Sequence, residues 1–234
     1  MRKFVYSMWM SVLVLAVGTA TAHAQTSPAG ATGNAPARAT PLVQSSVDEV
    51  ASELDGARES FLSIDGSQAA LRIRRAAETM RERAANATEA GREAIEQSAA
   101  ELQLLAQAVE ERRVASVHAL DEAFARANFA MANSHLLLAI RAQNEQARQR
   151  VGEELNASAA YFQAGTRRLR KTAWKEEEEL VRNTRRLAAN LIHNVGATAD
   201  EVGQGIRLFG QRLQQVQAGD TAAQRSPPTA PAKK

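Results

Sequence analysis

The chain contains no cysteine. Disulfides and thiolate metal sites are excluded, so packing alone must hold the fold. Proline is missing from the whole interior: the six prolines stand at 28, 36, 41, 227, 228 and 231. Mixed and all-β folds recruit proline to turns and strand edges, and this chain does not. Strand signals are missing too, since no alternating Val/Ile/Tyr run stands between turn residues. No stretch after the first residues is long and apolar enough to span a bilayer. A strong excess of charge is also lacking. Two of the 29 basic residues, Arg2 and Lys3, sit at the extreme N-terminus, and the remainder nearly balances the 26 acidic ones. A nucleic-acid partner, which needs a concentrated basic face, is not expected. No Gly-x-Ser-x-Gly, phosphate loop or dinucleotide fingerprint occurs.

The first residues have the form of a secretory signal over 1–24. Arg2 and Lys3 form its charged region, 12–17 lies in its apolar region, and Ala22-His23-Ala24 is a small-x-small cleavage site. Cleavage between Ala24 and Gln25 is expected. No cysteine follows to carry a lipid. Export without cysteine suits a bacterial periplasm or the cell exterior. Residues 25–41, rich in Ala, Thr, Ser, Gly and Pro, are expected to be a disordered linker, and 218–234 a disordered tail.

The interior is rich in Ala, Glu, Arg, Gln and Leu, all good helix formers, and the fold class is all-α. A short helix over 42–63 carries the stripe Val43, Val47, Val50, Leu54, Ala57 and Phe61. Asp65-Gly66 breaks it, with Gly66 suited to a helix C-cap and Ser67 to the next N-cap. Two long stripes follow. One runs from Ile73 through Met80, Gly91, Ile95, Leu102, Val109, Arg113, Val117, Phe124 and Met131 to Leu138. The other runs from Val151 through Leu155, Phe162, Leu169, Ala173, Glu177, Leu191, Val195, Thr198 and Phe209 to Val216. Both advance by three or four residues at each step, averaging about 3.6, the turn of an α-helix. Helices are therefore expected over 67–142 and 151–217. A turn is expected near 144–152, with a continuous solvent-bridging helix as the alternative. Gly152 is one of the few helix-weakening residues there.

Folded at that turn, the stripes would form an elongated antiparallel hairpin, a coiled-coil rod with arms of roughly 100 Å at 1.5 Å per residue. Arg113 would then lie opposite Glu177, pairing the one charge of each stripe. Their 3.6 period leaves the arms incompletely covered, which points to a second copy of the chain, a protein partner or a membrane surface.

Candidate chemistry is sparse. His118 and Glu122 stand four apart on one helix face, but no third ligand joins them, so no metal or cofactor is expected. Asp48, Glu49, Glu53 and Asp55 read as a solvated face, and so does 167–171 with its arginines. The chain is not expected to be an enzyme. The stretch 127–140 carries no charge and holds three consecutive leucines, Leu136 to Leu138, near its end. Phe129, Met131, Leu136, Leu137, Leu138 and Ile140, with Trp174 at the edge of the second stripe, are the candidate interaction residues. The expectation is a non-enzymatic exported helical scaffold or adaptor working through helix-face contacts. The alternative is an amphipathic protein that associates with lipid.

Overall fold

The computed structural model describes the backbone of residues 42–169 and 174–225, and the side chains of 49–169 and 175–218. The chain divides into two units, Met1–Ala39 and Thr40–Lys234, and every described residue belongs to the second. The signal at 1–24, the linker at 25–41, the end of the C-terminal tail and Ala173 lie outside the described residues.

All described elements are helical. They are α1 (Leu42–Leu62), α2 (Gly66–Ala84), α3 (Glu89–Glu110), α4 (Val117–Asn144), α5 (Arg148–Leu169), α6 (Trp174–Ile192) and α7 (Ala199–Arg225). The single helix expected over 67–142 is thus three helices, α2 to α4, and the one over 151–217 is also three, α5 to α7. The two long arms of a rod do not form. α7 runs on to Arg225, into the stretch expected to be a disordered tail.

The turns explain the difference. Four of them end a helix with a residue in the left-handed region, and none of the four is glycine: Ile64, Arg112, Gln146 and Asn194, with φ of 64°, 55°, 58° and 57°. Each makes the paired bonds of a Schellman motif. The Arg112 amide donates to Val109 O (3.0 Å) and the Arg113 amide to Ala108 O (2.8 Å). The same pattern joins Gln146 to Gln143 and Ala147 to Ala142, at 3.0 and 2.9 Å. Side-chain caps then start the next helices. Asp65 accepts from the Gln68 amide, Thr88 from Gly91 and Ser116 from Ala119. Thr198 and Glu201 form a reciprocal capping box at α7, in which the Thr198 amide and hydroxyl hold the Glu201 carboxyl below the usual carboxylate range. The α1–α2 turn therefore uses Ile64 and Asp65. Gly66 is already helical, and an added Cβ there would lie 3.3 Å from Val109 O.

The stripes nevertheless mark the core. Ile73, Met80, Gly91, Ile95, Leu102, Phe124, Met131, Leu155, Phe162, Leu191 and Phe209 are all buried. Among the stripe positions with described side chains, only Arg113, Val195 and Thr198 are exposed, and all three fall in turns. The turn at 85–88 is so short that the stripe passes through it in phase, from Ala84 to Ala87 to Gly91, all buried.

Consecutive helices pack side by side from α1 to α7, and α1 also lies on α4 and α5. α4 is covered by α1, α3, α5 and α7, and more than half of its 28 residues are buried. A helix enclosed in this way leaves little room for charge, and 127–140 has none. α4 and α5 run antiparallel from the Gln146 turn. The Ser158 hydroxyl donates to Ala132 O (2.6 Å), and His135 Nδ1 meets Glu154 Oε2 at 2.7 Å beneath a stacked Tyr161. Close approach needs glycine at Gly165, where a Cβ would fall 2.6 Å from the Phe129 ring.

Candidate functional site

The uncharged stretch 127–140, expected to offer interaction residues, is core. Phe129, Met131, Leu136 and Leu138 are buried and Leu137 is half-buried, leaving only Ile140 exposed, at 36%. Three consecutive leucines point about 100° apart around a helix, more than a two-helix hairpin can cover. α7 supplies the rest: a Cβ on Gly210 would touch Leu136, and Phe209 meets Phe162, which in turn meets Phe129. Trp174 opens α6, and its side chain lies outside the described residues.

Arg113 and Glu177 do not pair. Arg113 is exposed in the α3–α4 turn and bonds Glu111, because the helix expected to carry it ends at Glu110. Glu177 is buried and bonds Arg212 of α7. His118 and Glu122 meet at 3.1 Å on an open face, and among the described residues no group of three metal-ligating side chains exists. No described helix is long and apolar enough to cross a membrane.

The carboxylates of α1 stand on a largely solvated face that also carries ion pairs, and the side chain of Asp48 lies outside the described residues. Glu49 faces Arg83 (3.8 Å), and Glu53 faces Arg72 (3.4 Å) and Arg75 (3.9 Å). Asp55 faces the opposite way, toward α5, where it meets Arg168.

That contact belongs to a charged cleft lined by five ionisable side chains. α1, α4 and α5 enclose about 370 Å³, lined by Ala51, Asp55, Arg58, Asp121, Ala164, Arg167 and Arg168. Asp121 sits in the first turns of α4, one residue past the stripe position Leu120, and its side chain is only 7% exposed. It accepts Arg58 Nε through both oxygens, at 2.9 and 3.2 Å. Arg168, 8% exposed, places Nη1 3.8 Å from Asp121 and donates Nη2 to Asp55 at 2.5 Å. Its guanidinium lies over the Phe124 ring, 5.1 Å from the centroid. Burial weakens its hold on the proton, while Asp55 and Asp121 act in the opposite direction. An arginine in such a place stays charged, so the cleft offers fixed hydrogen-bond donors rather than a proton donor.

Sequence reasoning placed Arg167 and Arg168 on a solvated face and did not single out Asp121. The signal was present, because Asp121 shares a helix with an uncharged stretch that turned out to be enclosed.

Apolar exposure lies elsewhere. Leu62 and Ile64 flank the α1–α2 turn, and Leu71 and Leu104 project from α2 and α3. Comparison of the chain with family models, curated proteins and solved structures finds no match.

Proposed function

We propose that the chain is an exported, non-enzymatic helical scaffold or adaptor that works through helix-face contacts, first of all with a second copy of itself. The reading is carried by the α2–α3 pair. Gly66 approaches Val109 O, and Arg92 Nε bonds Ala84 O at 3.2 Å, so the two helices run antiparallel with known levels. Five residues on from Gly66 is Leu71, and five back from Val109 is Leu104. These two exposed leucines therefore stand at one level, and Leu104 is 69% exposed. Leu62 and Ile64 lie at the end of the same pair where α2 begins. Paired apolar side chains on neighbouring helices are the anchors that helix-face association uses. Export rests on the N-terminal pattern of Arg2, Lys3 and Ala22-His23-Ala24.

Sedimentation velocity of the exported protein, with and without liposomes, tests the reading. The mature chain should begin at Gln25 and sediment above monomer mass. Leu71→Ser with Leu104→Ser should lower that mass and leave helical circular dichroism unchanged. A wild-type monomer, or oligomers indifferent to the double substitution, would refute it. Co-migration with liposomes would instead favour the lipid-associating alternative, which has lost its main support now that 127–140 is core.

A further inference from the structure

We infer that the cleft between α1, α4 and α5 binds a small organic anion through its carboxylate or phosphate group, with Arg168 at the floor and Arg58 and Arg167 as further donors. The volume of about 370 Å³ lies within the range of small-molecule sites, roughly 300–1,000 Å³. Its walls at Ala51 and Ala164 are short, which leaves the space to the charged groups.

Charge decides what would enter. Three arginines line the cleft against two aspartates, an excess of one positive charge. Their donors are only partly used. Arg58 commits Nε to Asp121, and among the described residues neither of its terminal amino groups makes a hydrogen bond or ion pair. Arg167 is exposed and has no acidic partner among the described residues. On the α6 side, burial and then the charge of Arg167 weaken the hold of Arg185 on its proton, so Arg167 faces another cation rather than an acid there.

The two aspartates play different parts. Asp121 is buried and clamped by Arg58, so it fixes the frame. Asp55 is 73% exposed and reaches Arg168 from the solvent side of α1. It occupies the Arg168 donor that an incoming carboxylate or phosphate oxygen would take, and water already reaches it. Ligand binding is then an exchange of one anion for another at Arg168, with the Phe124 ring holding the guanidinium plane in place. The planar fork matches both carboxylate and phosphate geometry.

Calorimetric titration of the mature protein with succinate and, separately, inorganic phosphate tests this at one fixed, low ionic strength. At least one should bind saturably at one site per chain, and the one that binds names the group recognised. Asp55→Asn removes the competing carboxylate and should tighten binding about tenfold, while Arg167→Gln should weaken it several-fold. Both residues are exposed, so neither substitution threatens the fold. Arg168→Lys keeps the charge and loses the fork, and should abolish most of the binding with helicity retained. Absence of saturable binding by both anions would overturn the assignment. So would binding that ignores Asp55→Asn and Arg167→Gln, since that is general attraction to a basic surface.

Discussion

Replacing glycine by alanine inside a helix normally stabilises it, by up to ~1 kcal/mol. At Gly152 the sign should reverse. A Cβ there would stand 2.6 Å from Ala188 O, 2.9 Å from Ile192 Cγ1 and 3.0 Å from Leu191 Cβ, where ordinary contact begins at 3.4 Å. The nearest obstacle is backbone, so α5 and α6 must part. Overpacking of this kind costs roughly 1–3 kcal/mol, which outweighs the propensity gain. Gly203 in α7 is the control. Its added Cβ would meet only the far end of Arg207, at 3.3 Å, and Gln143 Nε2, at 3.7 Å. Gly203→Ala should therefore raise stability by about 0.5–1 kcal/mol. For a domain of this size, 1 kcal/mol moves Tm by roughly 2–4 °C. Thermal unfolding followed by circular dichroism should show Gly152→Ala melting below wild type and Gly203→Ala above it. If both variants melt higher, α5 and α6 do not approach at Gly152 and the packing described is wrong.

Ile64 is β-branched, 92% exposed and left-handed, so Ile64→Gly should relieve about 1–2 kcal/mol of backbone strain, read as a higher denaturation midpoint in urea. Arg113→Glu should change stability by no more than about 0.5 kcal/mol, since Arg113 is an exposed turn residue. Arg212→Ala strands the buried Glu177 carboxylate and should cost about 2 kcal/mol in the same titration, so a larger loss for Arg113→Glu would contradict the placement of both. Glu154→Leu leaves the largely buried His135 without its partner and should cost roughly 1–3 kcal/mol. Adding His135→Leu should recover part of that loss, and purely additive losses would show that the two groups do not interact.

The helical period was legible because it depends on burial alone. Ser98, Ser134, Thr166 and Thr184 fall on the stripes and are buried despite their hydroxyls. The turns were not legible because, among the described residues, only one of the left-handed turn positions is a glycine, Gly196 with φ of 43°. Ile64, Arg112 and Gln146 take the left-handed positions where glycine is the common choice. Gly91, Gly152 and Gly165 instead sit inside helices, where they let neighbours approach. With turns that short, the phase of the apolar pattern survives across 85–88, and three helices read as one. The triple leucine was misjudged for the same reason, since 151–217 was taken as one helix and α7, which packs against Leu136, was not separated from α6. The charged cleft was hidden because it joins Asp55, Asp121 and Arg168 from three separate helices. Arg167 and Arg168 stand in a mixed-charge run that locally resembles any solvated face.

The scaffold reading and the anion cleft both depend on the long apolar pattern being folded at its turns. Since the chain has no cysteine, spin labels can be placed singly at exposed Ser67 and Glu110. With Gly66 against Val109, these sites lie near one another at one end of the α2–α3 pair, and pulsed dipolar spectroscopy should read a distance below about 25 Å, label linkers included. A continuous helix through 67–142 would hold them roughly 65 Å apart at 1.5 Å per residue, and a distance in that range would contradict the fold, and the charged cleft with it.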